Sequence, residues 1–309
     1  MPEVDPATVP PRIPVRDTKR LGGALFAAGV CAVIVWGASF AATRFALRCL
    51  DPFGLIALRV TTGFLLLAAV LHARRRPLLP IRRDRLTCLV LGGVLSAHLL
   101  IQAYGLQRTT AIHAGWIIGF IPVTLALGAW LVGQQRLRGL GWLGVALGTG
   151  GVLVVTGAKP PDFAQARVGD LLQLVSCVTW TVYTLAAAGP TARNGVLCVT
   201  ACAMGVAAVI TGVGAAGAGV LHGPFTIDTL LVLIFLGPIC SGIAYYLWFA
   251  AVDAHGPART GALLYFEPFV ALLTGALLLG EPVSLWAILG GLCVLIGVWL
   301  VAKGSAKRA

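Results

Sequence analysis

The chain is predicted to be an all-α integral membrane protein of ten transmembrane helices, arranged as two inverted five-helix repeats. Three observations predict this. First, the 309 residues are 58% hydrophobic and 11% charged, with a mean hydropathy of +0.92. A soluble surface of this size could not be covered with so few charges. Second, apolar runs recur along the whole chain, each about 20 residues long, the length that crosses ~30 Å of hydrocarbon. Third, the sequence matches itself at an offset of 146 residues, which sets Gly115, Phe120 and Pro122 on Gly261, Phe266 and Pro268, and Leu143, Gly144, Gly151 and Val152 on Leu289, Gly290, Gly297 and Val298. A slightly different offset sets Trp36 on Trp180. Five helices per repeat is an odd number, so the second copy enters the membrane from the opposite side. Inverted repeats of this kind are typical of secondary transporters.

The elements follow in order. Residues 1–20 are polar and Pro-rich and end in Lys19 and Arg20, so they read as a disordered cytoplasmic tail. No small-residue cleavage site follows a short apolar stretch, and the first apolar run reads as a retained signal-anchor helix. Apolar runs bounded by charged or Gly/Pro-containing loops place helices near 22–43, 54–72, 86–105, 113–133, 139–157, 169–188, 195–218, 229–250, 260–279 and 284–302. Residues 21–157 form the first repeat, 158–168 a linker, 169–303 the second repeat and 304–309 a cytoplasmic tail.

Charge sets the orientation. The formal net charge is +12, and its distribution argues against nucleic acid as the partner. With the N-terminus inside, seventeen Lys and Arg residues fall on cytoplasmic segments, among them Arg74, Arg75, Arg76, Arg82, Arg83 and Arg85. Five fall on the other side (Arg44, Arg48, Arg108, Lys159 and Arg167), and Arg59 lies within a helix. Basic residues favour cytoplasmic loops, so both termini are expected inside a cell membrane crossed many times.

The eight cysteines lie mostly in apolar runs, with no CxxC pair and no His at metal spacing. They read as small buried hydrophobes rather than a disulfide framework, and neither a metal nor a cofactor is expected. HExxH, GxSxG and P-loop motifs are absent, so an enzyme or a direct user of ATP is not indicated.

Ionisable residues inside the bilayer point to function, because burying charge costs several kcal/mol unless it is paired or hydrated. Glu267 sits about eight residues into the ninth helix. Pro268 follows it and removes a helical donor from the carbonyl of Leu264. Arg59, in the second helix, reads as structural. His98 and Gln102 share one face of the third helix, and that face is expected to point inward. Trp36 and Ser39, then Trp180 and Tyr183, then Tyr245 and Trp248 give three helices aromatic and hydroxyl faces. Tyr104, Trp116 and Tyr265 add to the set of pathway candidates, which suits amphipathic organic solutes, flat or cationic ones included.

The segment Trp36-Gly37-Ala38-Ser39-Phe40 resembles the signature near the start of EamA-type transporters, in the drug/metabolite transporter superfamily. Leu58-Arg59, Tyr104-Gly105-Leu106 through Pro122, Tyr246-Leu247-Trp248, Leu264-Tyr265-Phe266-Glu267-Pro268 and Leu279-Gly280-Glu281-Pro282 resemble further motifs of that family, in order, over nearly the whole chain after residue 20. The resemblance implies ten helices, two inverted repeats, and a central cavity lined mainly by helices one, three, four, six, eight and nine. It implies export or exchange of small metabolites, amino acids or toxic organic compounds. Arg59, Pro122, Pro268 and Glu281 are then structural or hinge positions. One departure stands out: the family commonly has an acidic residue at the end of helix four, where this chain has Gln134 and Gln135, and only Glu281 keeps that charge in the second half.

The expectation is therefore a secondary transporter of a small organic solute, acting as monomer or homodimer, with a proton as a further candidate for coupling. Competing readings are a facilitator or antiporter of phosphorylated metabolites, and a membrane-embedded enzyme acting on a lipid-phase substrate.

Overall fold

The computed structural model describes residues 15–133, 135–157, 163–218, 220, 223–255 and 260–307. Residues 1–14 of the expected tail, 158–162 of the expected linker, Gln134, and residues 219, 221–222, 256–259 and 308–309 lie outside the described residues, with Arg12, Lys159, Arg259 and Arg308 among them.

Ten helical elements carry the fold, among the described residues. α1 is Val15–Ala46, α2 Pro52–Ala73 and α3 Arg85–Leu106. α4 runs in two pieces, Ala111–Ile118 and Ile121–Leu131, and α5 is Gly139–Gly157. α6 is Phe163–Asn194 and α7 Val196–Ala218. α8 is continuous through three pieces, Ile227–Ile234, a π-helical stretch Phe235–Ile243, and Ala244–His255. α9 opens as a 3-10 turn, Ala262–Phe266, and continues as Glu267–Leu279; α10 is Leu285–Gly304. Nine of the ten are long and apolar enough to cross a membrane, and Leu263–Leu279 is a shorter apolar helix.

Side-chain caps set several of the starts. Asp51 precedes Pro52, and its Oδ1 accepts the Phe53 amide at 2.8 Å, which satisfies one of the orphan donors of α2. Thr110 does the same for α4 through the His113 amide at 3.0 Å. Helices α1 and α6 begin earlier than expected, at Val15 and Phe163, inside the segments read as tail and linker. Hydropathy marks where the apolar slab ends, and a helix can continue past it into water. α6 also continues through Pro190 to Asn194, where a stop was expected.

The two halves pack as pseudo-two-fold mates. α1 packs on α8 as α6 packs on α3, and α2, α4 and α5 each meet their own counterpart, α7, α9 and α10. The seam between α5 and α10 shows the symmetry at atomic scale. A methyl group at Gly151 would lie 2.5 Å from the Gly290 carbonyl oxygen, and one at Gly290 would lie 2.7 Å from that of Gly151. Gly144 and Gly297 touch in the same reciprocal way. Reciprocal contact is the mark of a two-fold interface, and small residues let the backbones meet. One feature was not expected: Gln135–Leu137 (β1) pairs antiparallel with Ser305–Lys307 (β2), tying the start of α5 to the end of α10.

Apolar residues also cover the outside. Leu131, Val213 and Leu277 are 73%, 72% and 73% exposed. A soluble protein would pay heavily for such a surface, whereas lipid solvates it.

Candidate functional site

Helices α1, α2, α3, α4, α6, α8 and α9 converge on a small cavity of about 40 Å³ between them. Trp36, Ser39, Arg59, His98, Gln102, Trp180, Tyr245 and Glu267 line it, with Phe40, Leu99, Ile118, Ile121 and Leu264 as its apolar wall. That volume holds a few waters at most.

The π-helical stretch of α8 organises the polar side. Its wider turn surrounds Pro238, which cannot donate to a regular ladder. Ser241 Oγ donates to the Leu236 carbonyl at 2.9 Å, and the Cys240 carbonyl accepts the Trp36 indole N–H at 3.1 Å. Arg59 reaches into the same stretch. Its Nε donates to Ser241 Oγ at 2.8 Å, one terminal nitrogen lies 3.1 Å from Cys240 Sγ, and the other 3.5 Å from Thr43 Oγ1. Arg59 is 3% exposed, yet among the described residues every hydrogen-bond partner of its guanidinium is neutral.

Opposite lies Glu267, 5% exposed and with no hydrogen-bond or ion-pair partner among the described residues. Gly37 positions it, since a methyl there would come 2.8 Å from the Glu267 carbonyl oxygen and only glycine lets α9 approach α1 beside Trp36. The Leu264 carbonyl is not left free, as the sequence had implied. The 3-10 turn gives it the Glu267 amide as donor, so tightening the turn compensates for Pro268. Pro122 likewise opens the second piece of α4, and both prolines break their helices at equivalent repeat positions.

His98 is 4% exposed, and its Nδ1 lies 3.0 Å from the Ser176 carbonyl and 3.1 Å from Thr179 Oγ1. A carbonyl only accepts, so that bond assigns the proton to Nδ1 and leaves Nε2 of the neutral ring as an acceptor.

An aromatic cluster backs the cavity. The Trp36 ring lies 5.5 Å from Trp180, 5.1 Å from Tyr245 and 5.3 Å from Trp248. Tyr183 stacks on Trp180 at 5.8 Å, one layer behind the wall. Trp248 likewise supports Trp36 without lining the cavity. The indole nitrogens of Trp180 and Trp248 are buried without a hydrogen-bond partner among the described residues.

Three pathway candidates lie elsewhere. Tyr104 packs on Phe53 under Arg108, towards the end of α3. Trp116 fills the gap between α4, α9 and α10, where Phe269 meets its ring and Gly291 makes room. Tyr265 packs with the valines between α4, α5 and α10. Each is on a helix that borders the cavity but on another face, and depth along a helix does not fix the direction a residue points. In the other direction, Arg59, read as structural, reaches the cavity. Thr43 shares the helical spacing of Trp36 and Ser39, whereas the partners Cys240 and Thr179 carried no signal beyond their residue types.

The ends of the molecule differ. At the end bearing Arg74 to Arg85, here the basic end, Asp84 takes a bidentate contact from Arg193 at 2.9 and 2.6 Å and a bond from Asn194 at 2.7 Å. At the far end, Glu281 accepts the amides of Ala111 and Ile112 at 2.9 and 3.0 Å, capping α4, and pairs with Arg44 at 3.2 Å. The α4–α9 crossing is tight there, with Gly115 against Ala271 and Gly119 against Pro268. Gly261, the repeat mate of Gly115 towards the basic end, meets nothing within 4 Å among the described residues.

The family model described as "EamA-like transporter family" matches residues 22–157 and 167–303. An uncharacterized protein of Pseudomonas aeruginosa is 30% identical over 91% of this chain and 95% of its own. An "uncharacterized transporter" of Archaeoglobus fulgidus is 26% identical over 87% of this chain and 93% of its own. A "probable amino-acid metabolite efflux pump" of Escherichia coli is 25% identical over 89% of this chain and 94% of its own. A solved crystal structure, 21% identical, superposes with a TM-score of 0.65 over 90% of this chain and 95% of that one.

Proposed function

The chain belongs to the EamA-like transporter family, and from that premise we propose that it exports a small zwitterionic solute of amino-acid type by alternating access. One observation carries the reading: Arg59 and Glu267 line one buried cavity, and neither has an ion-pair partner among the described residues. Unpaired opposite charges at membrane depth are costly. A solute with its own carboxylate and ammonium would neutralise both, the carboxylate at the guanidinium and the ammonium at Glu267 among Trp36 and Tyr245. The Escherichia coli relative described as a probable amino-acid metabolite efflux pump supports the same class.

Alternating access rests on the pseudo-two-fold packing and its imbalance. The far end is clamped by Glu281, Arg44 and the tight α4–α9 crossing, while at the basic end Gly261 meets nothing within 4 Å among the described residues. Exchange of the two arrangements between the halves would pass the solute across. The repeats are proposed to run 21–157 and 169–303, joined by 158–168. The membrane is proposed to be the cytoplasmic one, with the basic end and both termini inside. A proton carried on Glu267 is the coupling partner proposed. Among the described residues Arg59 is the one arginine lining the cavity, which argues against phosphorylated metabolites, and no nucleophile–base pair among the lining residues argues for an enzyme.

Counterflow of radiolabelled solutes in proteoliposomes tests this. Zwitterionic amino acids should exchange, with at least tenfold loss in E267Q. Exchange of uncharged solutes alone, undiminished in E267Q, would overturn it. Equal flux with and without a pH gradient would remove the proton from the scheme.

A further inference from the structure

The basic end holds a second, larger recess of about 880 Å³ that the transport reading does not use. Its walls come from α1, the end of α2 and the segment 74–81 after it, the α6–α7 junction and α8, with Leu25, Leu71, Leu79, Val196 and Ala250 as its aliphatic lining. Arg74, Arg76 and Arg193 stand at it. Arg193 is engaged by Asp84. Arg74 and Arg76 have no carboxylate within ion-pair distance among the described residues, and the closest ring contact of Arg74 is the face of Tyr246 at 6.0 Å.

The segment carrying these charges is held in place. Asn194 Oδ1 accepts the Ile81 amide at 2.8 Å, and Asn194 is itself fixed by Asp84, which is 1% exposed. Arg75 adopts a left-handed backbone (φ 52°), a conformation that non-glycine residues rarely take, and this turns the chain sharply between Arg74 and Arg76. Next to the arginines, Leu79 and Ile81 are 60% and 50% exposed. Water would not favour that pairing of bare aliphatic side chains with cations, whereas the boundary between acyl chains and phosphates accommodates both.

We propose that this recess binds an anionic phospholipid of the adjacent leaflet, its phosphate at Arg74 and Arg76 and an acyl chain along the aliphatic wall. The charge complementarity is that of basic pockets between membrane helices. A free anion would need the arginines but not the exposed leucine and isoleucine beside them.

The test uses the purified full-length protein. Its melting temperature is measured in micelles supplemented with phosphatidylglycerol or phosphatidylcholine, and native mass spectrometry counts retained lipid. Phosphatidylglycerol should stabilise more and be retained selectively. R74Q/R76Q should bind it roughly thirtyfold more weakly, at ~1 kcal/mol per interfacial charge, while R48Q at the far end should bind as wild type. Should the double variant not fold, R76Q alone should lose part of the preference, and added salt should weaken it in wild type. Equal stabilisation by both lipids, or a preference that survives R74Q/R76Q, would overturn the proposal. A shift produced equally by glycerol phosphate without acyl chains would also overturn it, assigning the recess to a soluble anion.

Discussion

Arg59 is permanently charged, 3% exposed, and held by two hydroxyls and a sulfur. Such a side chain is tolerated because its planar fork spreads donors over three partners on two helices. A lysine keeps the charge but offers one compact head that cannot reach Ser241, Cys240 and Thr43 together. R59K is therefore expected to destabilise by about 2 kcal/mol, the worth of a hydrogen bond to a charged group, read as a lower melting temperature in detergent. An unchanged melting temperature would mean that these bonds contribute nothing. Sequence made Arg59, His98 and Glu267 visible as charges or polar groups in apolar runs, and it placed Trp36, Trp180 and Tyr245 on helices that line the cavity. It could not say which way each residue points. Trp116 and Tyr265 have the same chemistry and similar depth, yet they fill gaps between α4, α5, α9 and α10. Azimuth depends on how a helix is rotated against its neighbours, which no local pattern in an all-round apolar helix records.

Helices were legible because lipid demands length and apolarity, and a helix covers each of the ten runs, with α1 and α6 extending beyond theirs. Their irregularities were only half legible. Pro122 and Pro268 mark real breaks in α4 and α9. The nine-residue π stretch of α8 had only Pro238 as a signal, because its wider turn depends on Arg59 and Trp36 arriving from other helices. The glycine seam permits a sharp comparison of neighbours. A methyl at Gly150 meets nothing within 4 Å, whereas one at Gly151 lies 2.5 Å from a backbone oxygen. G150A should be neutral or stabilising by up to about 1 kcal/mol, the helix-propensity gain. G151A should lower the melting temperature by several degrees, since backbone rather than a flexible side chain must yield. Similar behaviour of the two variants would mean that α5 and α10 are not in backbone contact.

At the scale of the whole molecule, the inverted symmetry was legible from the 146-residue offset, and its imbalance was foreshadowed by Gln134 and Gln135 standing where Glu281 has no acidic mate. Glu281 holds the far end through the amides of Ala111 and Ile112 and through Arg44. E281A removes a charged acceptor worth at least ~1.5 kcal/mol, so amide exchange at residues 111–114 should quicken by about tenfold or more, with residues around Asp84 unchanged. Equal protection in wild type and E281A would show that the far end closes by other contacts. The α5–α10 seam has a different consequence. Backbone against backbone leaves nothing compressible between the two helices, and the β1–β2 pair ties their ends together. A pair of spin labels across the seam should then keep one separation while pairs spanning the centre change, giving any study of motion in this molecule a built-in ruler.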